Sequence, residues 1–161
     1  MMNKKWKLLE PIRVGHKVFK NRMLMAPMET RLSNPDGSST REMVEYYRER
    51  AKGGVAAVVV ENTFVDAKAS RSSLVSSGLH NDHMIASKYL VAEAIKENGA
   101  VAILQLSHGG RQANSAATGL PAVAPSCVTC KVTQREPVPL NIDEIHEIED
   151  AFAAAARRAK Q

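Results

Sequence analysis

The sequence predicts an α/β fold in which buried strands and amphipathic helices alternate, as they do in part of a (β/α)8 barrel. Three apolar runs, at residues 23–28, 56–60 and 101–106, have the length and composition of strands buried on both faces. A helical pattern or a long connection follows each run, and polar side chains stand where each strand ends. The 161 residues, 44% hydrophobic and 24% charged, suit one soluble domain without a second one.

The first predicted element is a short β-hairpin over about residues 11–20. A hairpin of this size is not stable alone, so we expect it to lie against something larger. Residues 23–28 then form the first buried strand, and Pro27 marks its end because proline is poorly tolerated inside a sheet. The polar residues Glu29 and Thr30 follow directly.

A capping box predicts the start of the first helix, in which Ser39 and Glu42 satisfy each other's backbone donors. The helix is expected to run to about Lys52 and to stop at Gly53 and Gly54. The 3.6-residue period places three side chains on its inward face: Met43, Tyr47 and Ala51.

The second strand, at residues 56–60, ends in the polar residues Glu61 and Asn62. A looser, serine-rich segment from about residue 66 to 78 is interpreted as an excursion from the alternating pattern. A second helix is then predicted over about residues 82–98. Its buried side chains are expected to be Met84, Val91 and Ile95.

The third strand carries one polar residue, Gln105, near its C-terminal end. An amide that can both donate and accept offers complementary contacts to a planar heterocycle, and the loop that follows holds His108 and Arg111. The alternative is that Gln105 is satisfied by a neighbouring backbone and that the loop is only a turn.

The connection from residue 107 to 139 is long for a compact domain, and such loops are usually functional or disordered. A last helix is predicted to begin at the capping box of Asn141 and Glu144, with Leu140 and Ile145 as a hydrophobic staple. Its helical period continues to the last residue without a stop signal, so the sequence is expected to be cut before a fourth strand. Open strand edges would then favour self-association or pairing with a missing C-terminal half.

Two architectures use parallel strands with crossover helices, the doubly wound sheet and the eightfold barrel. A nucleotide-binding open sheet carries a glycine-rich turn after its first strand, whereas this chain has Glu29 and Thr30 there. All three strands end in polar groups, which is typical of a barrel. A whole barrel needs about 200 residues or more, so we predict an incomplete barrel of about three β/α units over residues 23–161.

Charge and cysteine content exclude several classes of function. The net charge of +5 is spread over basic residues interleaved with acids, so no nucleic-acid partner is expected. Cys127 and Cys130 form a single C-x-x-C without a second pair, which predicts two reduced thiols and no metal. The N-terminus lacks the apolar core of a signal peptide and no segment reaches membrane-spanning length, so we expect a cytoplasmic protein without a membrane partner.

Three motifs in order resemble the N-terminal part of the Old Yellow Enzyme family of NADH:flavin oxidoreductases and 2-enoate reductases. They are NRMLMAPM at residues 21–28, VENT at residues 60–63 and QLSHGGR at residues 105–111. The resemblance covers essentially the whole chain. It implies an FMN-containing barrel that takes hydride from NAD(P)H and passes it to an activated carbon–carbon double bond of a small unsaturated substrate.

The resemblance also implies roles for individual residues. The backbone of Ala26, Pro27 and Met28 would lie along the flavin ring, Asn62 would lie near the pyrimidine side, and the Gln105 amide would contact the pyrimidine edge. These five positions are the predicted cofactor-binding residues.

Glu29 and Thr30 occupy the place from which the family tunes the flavin potential or touches substrate, although the family often has cysteine or threonine near Glu29. The family's substrate-binding His or His/Asn pair and its tyrosine proton donor lie beyond the end of this chain. The catalytic residues are therefore unknown, and we expect the isolated chain to be inactive. The alternative is a non-catalytic half-barrel module that self-associates or complements a partner segment.

Overall fold

The computed structural model describes residues 6–161, so the expectation about a leader at residues 1–5 lies outside the described residues. The strands are β1 (Ile12–Val14), β2 (Lys17–Phe19), β3 (Leu24–Met25), β4 (Ala57–Phe64), β5 (Ser77–Gly78), β6 (Val101–Ser107), β7 (Val123–Ala124) and β8 (Val138–Pro139). The helices are α1 (Arg41–Lys52), α2 (Ile85–Lys96), α3 (Ser115–Thr118) and α4 (Ile142–Arg158). Single 3-10 turns lie at Lys7–Leu9, Asp82–Met84 and Gly110–Gln112.

The central sheet is parallel, as predicted from the alternation of strands and helices. β4 lies between β3 and β6, with Ala57 opposite Leu24 on one side and Val101 on the other. The short β5 also pairs with β4 in parallel. The predicted hairpin is confirmed as the antiparallel pair β1 and β2, in which Ile12 lies opposite Phe19.

One hydrophobic core joins helices α1 and α2 to the sheet. The three predicted inward side chains of α1 are fully buried, and those of the second helix are buried too. The core cluster consists of Met43, Tyr47, Ala51, Val58, Val60, Val91, Ile95 and Ala100. The period of the apolar residues was therefore sufficient to orient both helices.

The prediction that the strands are buried on both faces is confirmed for β4 but is wrong for β3 and β6. Helices cover one face only, where Met25, Ala102 and Leu104 pack against the core. Because side chains alternate along a strand, residues such as Leu24 and Gln105 project to the other face, and both are exposed. This second face is called the open face below.

The first helix begins differently from its predicted capping box. Thr40, not Ser39, is the N-cap, and its Oγ1 accepts the Met43 N–H at 3.1 Å. Ser39 Oγ instead accepts a hydrogen bond from Lys88 Nζ at 2.9 Å. A buried lysine thus uses the oxygen that was expected to cap the helix, which local sequence could not indicate.

The long connection is ordered by short elements. It contains a 3-10 turn, α3, and the two-residue strands β7 and β8, which pair in parallel. The predicted capping box of the last helix is confirmed, because Asn141 Oδ1 accepts the Glu144 N–H and Glu144 Oε2 accepts the Asn141 N–H. None of the helices within residues 6–161 is long and apolar enough to cross a membrane.

Candidate functional site

The carboxyl ends of β3, β4 and β6 meet at one edge of the sheet, which we call the rim. The pairing of β4 with β6 shifts between Val60 and Thr63, so that Glu61 and Asn62 together lie opposite Gln105. Such a bulge places two residues of one strand against one residue of the other and redirects their side chains. Here the bulge brings two polar side chains of β4 beside the single polar residue of β6.

Gln105 lies on the open face at the rim, and its side chain is exposed. The alternative in which a buried backbone group satisfies this amide therefore does not describe the structure. The segment after β3 borders the same face, with Ala26 and Met28 exposed and Pro27 half-buried between them. These four residues present an uncovered surface with one amide at its edge.

A serine cluster links two of the other predicted site residues. Asn62 Nδ2 donates to Ser72 Oγ at 3.1 Å, and Ser72 Oγ lies 3.1 Å from Glu29 Oε1. Ser73 Oγ also donates to Glu29 Oε1, at 2.9 Å. Sequence reasoning treated this serine-rich segment only as an excursion, yet it holds the Glu29 carboxylate and the Asn62 amide in one network.

Glu61 is fully buried at the rim. Its Oε2 accepts the backbone N–H of Thr30, and its own N–H donates to the Tyr47 hydroxyl at 2.9 Å. Burial raises the pKa of the Glu61 carboxyl, against the Thr30 hydrogen bond, which lowers it. The sequence placed Glu61 at a strand end but gave it no role.

Lys88 on α2 is a second buried ionisable residue, after Glu61, and the sequence gave it no role either. Its Nζ donates to the Gly37 carbonyl and to Ser39 Oγ, both at 2.9 Å. Burial lowers the pKa of Lys88 to about 8, although the charge of Glu61 opposes this effect. Lys88 belongs to none of the motifs found in the sequence, and Glu61 lies in the VENT motif without an assigned role, so only the tertiary structure shows what the two side chains hold.

His108 has a structural position in the loop after β6. Its Nδ1 accepts the Gly110 N–H at 3.0 Å, so a neutral ring carries its proton on Nε2, which lies 3.9 Å from Asp66 Oδ2. Burial lowers the pKa of His108 and favours this neutral form. Arg111 is exposed.

The two cysteines are free thiols, as predicted. Cys127 is exposed and Cys130 is buried. Within residues 6–161, no three His, Cys, Asp or Glu side chains gather where they could hold a metal ion.

The rim residues fit a flat heterocycle. Ala26 and Met28 offer an exposed surface for a ring, and the exposed Gln105 amide can donate to and accept from the ring's edge. The Asn62 amide, held by Ser72, stands on the neighbouring strand. These residues could hold the FMN that the resemblance implies.

Polar side chains gathered at the carboxyl ends of parallel, helix-backed strands are typical of β/α-barrel enzymes. The chain belongs to the NADH:flavin oxidoreductase / NADH oxidase family, whose model matches residues 7–161. This confirms the predicted family resemblance and the class of cofactor, a flavin used with NADH.

Three relatives illustrate the match. The chain is 40% identical over 149 residues to an NADH oxidase of Thermoanaerobacter brockii, and the match covers 92% of this chain and 23% of that protein. It is 39% identical over 143 residues to an NADH:fumarate oxidoreductase of Klebsiella pneumoniae, and this match covers 88% of this chain and 15% of that protein. The structure of an old yellow enzyme homologue from Zymomonas mobilis matches with a TM-score of 0.85 and 28% identity, over 95% of this chain and 45% of that one. The chain therefore spans less than half the length of each.

Proposed function

We propose that this chain supplies one side of the FMN site of an oxidoreductase that passes hydride from NAD(P)H, through the flavin, to an activated carbon–carbon double bond. The observation that carries the proposal is the rim. Polar residues of β4, of β6 and of the segment that follows β3 lie beside an open apolar face in a chain of this family. About three β/α units of the barrel are present, and the remaining wall would come from another segment.

In this proposal five residues hold the cofactor. FMN supplies the hydride-transfer chemistry when it is bound. The backbone at Ala26, Pro27 and Met28 supports the ring, and the exposed Gln105 amide fixes the orientation of its pyrimidine edge. Asn62 approaches the same edge while Ser72 restrains its amide. A neutral hydrogen bond of this kind contributes about 1 kcal/mol.

Glu29 would act on the cofactor through its charge. Ser72 and Ser73 both donate to Glu29 Oε1 and hold this side chain at the rim. A negative charge held beside the ring opposes the negative charge that a flavin gains on reduction. We therefore assign Glu29 and Thr30 to tuning of the flavin or contact with substrate, with Glu29 lowering the reduction potential.

The substrate class and the catalytic groups are further parts of the proposal. A relative named for fumarate, which contains an activated double bond, supports reduction of a small unsaturated substrate. No residue of this chain is assigned as the proton donor. The isolated chain is expected to bind FMN weakly and to show little or no turnover.

Titration of the purified chain with FMN tests the proposal. We expect quenching of flavin fluorescence and a perturbed visible spectrum, together with little NADH oxidation when an enone is added. An unchanged flavin spectrum at saturating protein would contradict binding by this chain. Robust turnover would show that the chain needs no further catalytic groups.

A second candidate function follows from the uncovered apolar residues. Leu24 is 52% exposed and Met28 is 59% exposed, both beside the open face. A non-catalytic half-barrel module could cover them by self-association or by binding a complementing segment. Size-exclusion chromatography separates the two readings, since this module would form dimers or larger species without flavin, whereas a monomer would count against it.

A further inference from the structure

Within the loop that connects β3 to α1, the stretch of residues 30–39 is held at both ends by buried ionisable side chains. At its start, the Thr30 N–H donates to Glu61 Oε2 of β4. At its end, Lys88 Nζ of α2 donates to the Gly37 carbonyl and to Ser39 Oγ, each at 2.9 Å. Glu61 is 0% exposed and Lys88 is 9% exposed.

The backbone between these anchors is strained. Arg31 has a φ of +58°, in the left-handed region that a residue with a side chain seldom adopts. Thr30 Oγ1 accepts the Leu32 N–H at 3.2 Å and so closes the turn around Arg31. A conformation of this kind persists only where the surrounding contacts fix it, and such positions cluster at functional sites.

Apart from the attraction between its charge and that of Lys88, the Glu61 carboxylate is used in the fold only through the Thr30 contact. Within residues 6–161, its Oε1 has no hydrogen-bond partner, while its Oε2 binds Thr30. The Tyr47 hydroxyl accepts the Glu61 N–H and fixes the backbone from which the carboxylate extends. A buried carboxylate is costly, and an apolar side chain of similar volume often serves stability equally well. Stability alone therefore does not account for a glutamate here.

We propose that Glu61 is a positioning residue. By holding the Thr30 amide, it fixes the segment that follows β3 in the conformation that receives the flavin ring. Thr30 lies two residues after Met28, the last of the three residues proposed to support the ring. Lys88 holds the far end of the same loop. This inference rests on the proposed function, because it assigns Glu61 a role in FMN binding.

Glu61→Met and Glu61→Gln test this role, with Glu49→Gln as the matched control. Methionine retains approximate length but removes the acceptor, whereas glutamine retains an acceptor and loses the charge. Glu49 is an exposed glutamate of α1 that pairs with Lys52. Each variant is compared with the parent by thermal unfolding, by hydrogen exchange at the Thr30 amide, and by fluorescence titration with FMN.

We expect Glu61→Met to speed exchange at Thr30 at least tenfold and to weaken FMN binding about tenfold. Glu61→Gln should restore part of both effects, and Glu49→Gln should change neither. The absorption spectrum of the flavin that remains bound should also shift in Glu61→Met, which a purely structural defect would not cause.

Each contrary outcome has its own meaning. Unchanged exchange at Thr30 in Glu61→Met would show that the carboxylate does not hold this amide. Faster exchange with unaltered FMN binding would show an anchor that serves stability only. If the parent chain binds no FMN, the proposed function of this chain fails and the positioning role fails with it. If Glu61→Met does not fold, Glu61→Gln decides, since faster exchange at Thr30 with parent-like affinity for FMN would overturn the role.

Discussion

The two faces of the central sheet differ in how completely this chain covers them. The helix-covered face is closed by α1 and α2, and its largest side chains, such as Tyr47 and Met43, are fully buried. On the open face and beside it, Leu24, Met28 and Gln105 stay exposed. The main core cluster therefore lies on one face, and most of the proposed flavin-binding residues lie on or beside the other.

This division separates stability from binding. Substitutions on the covered face should change the free energy of unfolding, because they create cavities in a packed core. Substitutions on the open face should leave unfolding almost unchanged and alter the affinity for a ligand or partner. Glu61 and Lys88 connect the two regions, since both are buried and yet both hold the loop that leaves the rim.

A matched pair of methionines tests the division most strongly. Met43 is 0% exposed within the core and Met28 is 59% exposed. Replacing a buried methionine by alanine costs about 2–5 kcal/mol, whereas a surface change stays within about 0.5 kcal/mol. Urea unfolding of Met43→Ala and Met28→Ala should show this difference. Equal losses of stability would mean that the open face is covered in solution.

The pH dependence of stability tests the burial of Lys88. Its pKa of about 8 in the folded chain lies below the ordinary value of 10.5. Between these pH values the folded chain has lost the proton that the unfolded chain keeps, so stability rises with pH. Relative to Lys88→Met, the parent should gain about 3 kcal/mol by pH 10.5, because each pKa unit is worth about 1.4 kcal/mol.

Lys96→Met is the control for this measurement. Lys96 lies on the same helix, but its side chain is exposed and pairs with Glu93. Its removal should leave the slope of stability against pH unaltered. If Lys88→Met and Lys96→Met have the same slope as the parent, the ammonium group of Lys88 is solvated in solution.

The last helix depends on its cap more than on burial. Ala155 is its only fully buried residue, whereas α1 buries three. Asn141→Ala removes the side-chain acceptor of the capping box and should cost about 1 kcal/mol. Glu144→Gln keeps an acceptor and should cost less. Thermal unfolding measures both changes, and an unaltered midpoint for Asn141→Ala would mean that the cap is frayed in solution.

Local patterns predicted the elements of this fold, and tertiary contacts decided the rest. The inward residues of α1 and the capping box of α4 follow from spacing alone, and both are confirmed. The cap of α1 was wrong because Lys88, distant in sequence, binds Ser39. Burial on both faces was wrong for β3 and β6, because composition shows that a strand is apolar but not which segment covers it.

The residues of the candidate site also fall into two groups, those that the sequence indicates and those that only the tertiary structure reveals. Gln105 stands out in sequence because it interrupts an apolar strand, and the structure places it on the open face at the rim. Ser72 and Ser73 carry no such signal, since serines in a polar segment look like any loop. Their link to Glu29 depends on the fold of residues 66–78, which no local pattern describes.

Gln105 offers the most selective test, because it should affect binding and leave folding unchanged. Gln105→Leu keeps the approximate size of the side chain but removes an amide that is exposed on the open face. The loss of one neutral hydrogen bond, about 1 kcal/mol, corresponds to a roughly fivefold larger dissociation constant for FMN. Fluorescence titration measures this change, and thermal unfolding should show a midpoint like that of the parent. Gln112→Leu, at another exposed glutamine in the connection that follows β6, is the control. Equal FMN affinity in both variants would remove Gln105 from the flavin site, and a large loss of stability in Gln105→Leu would show that its amide supports the fold instead.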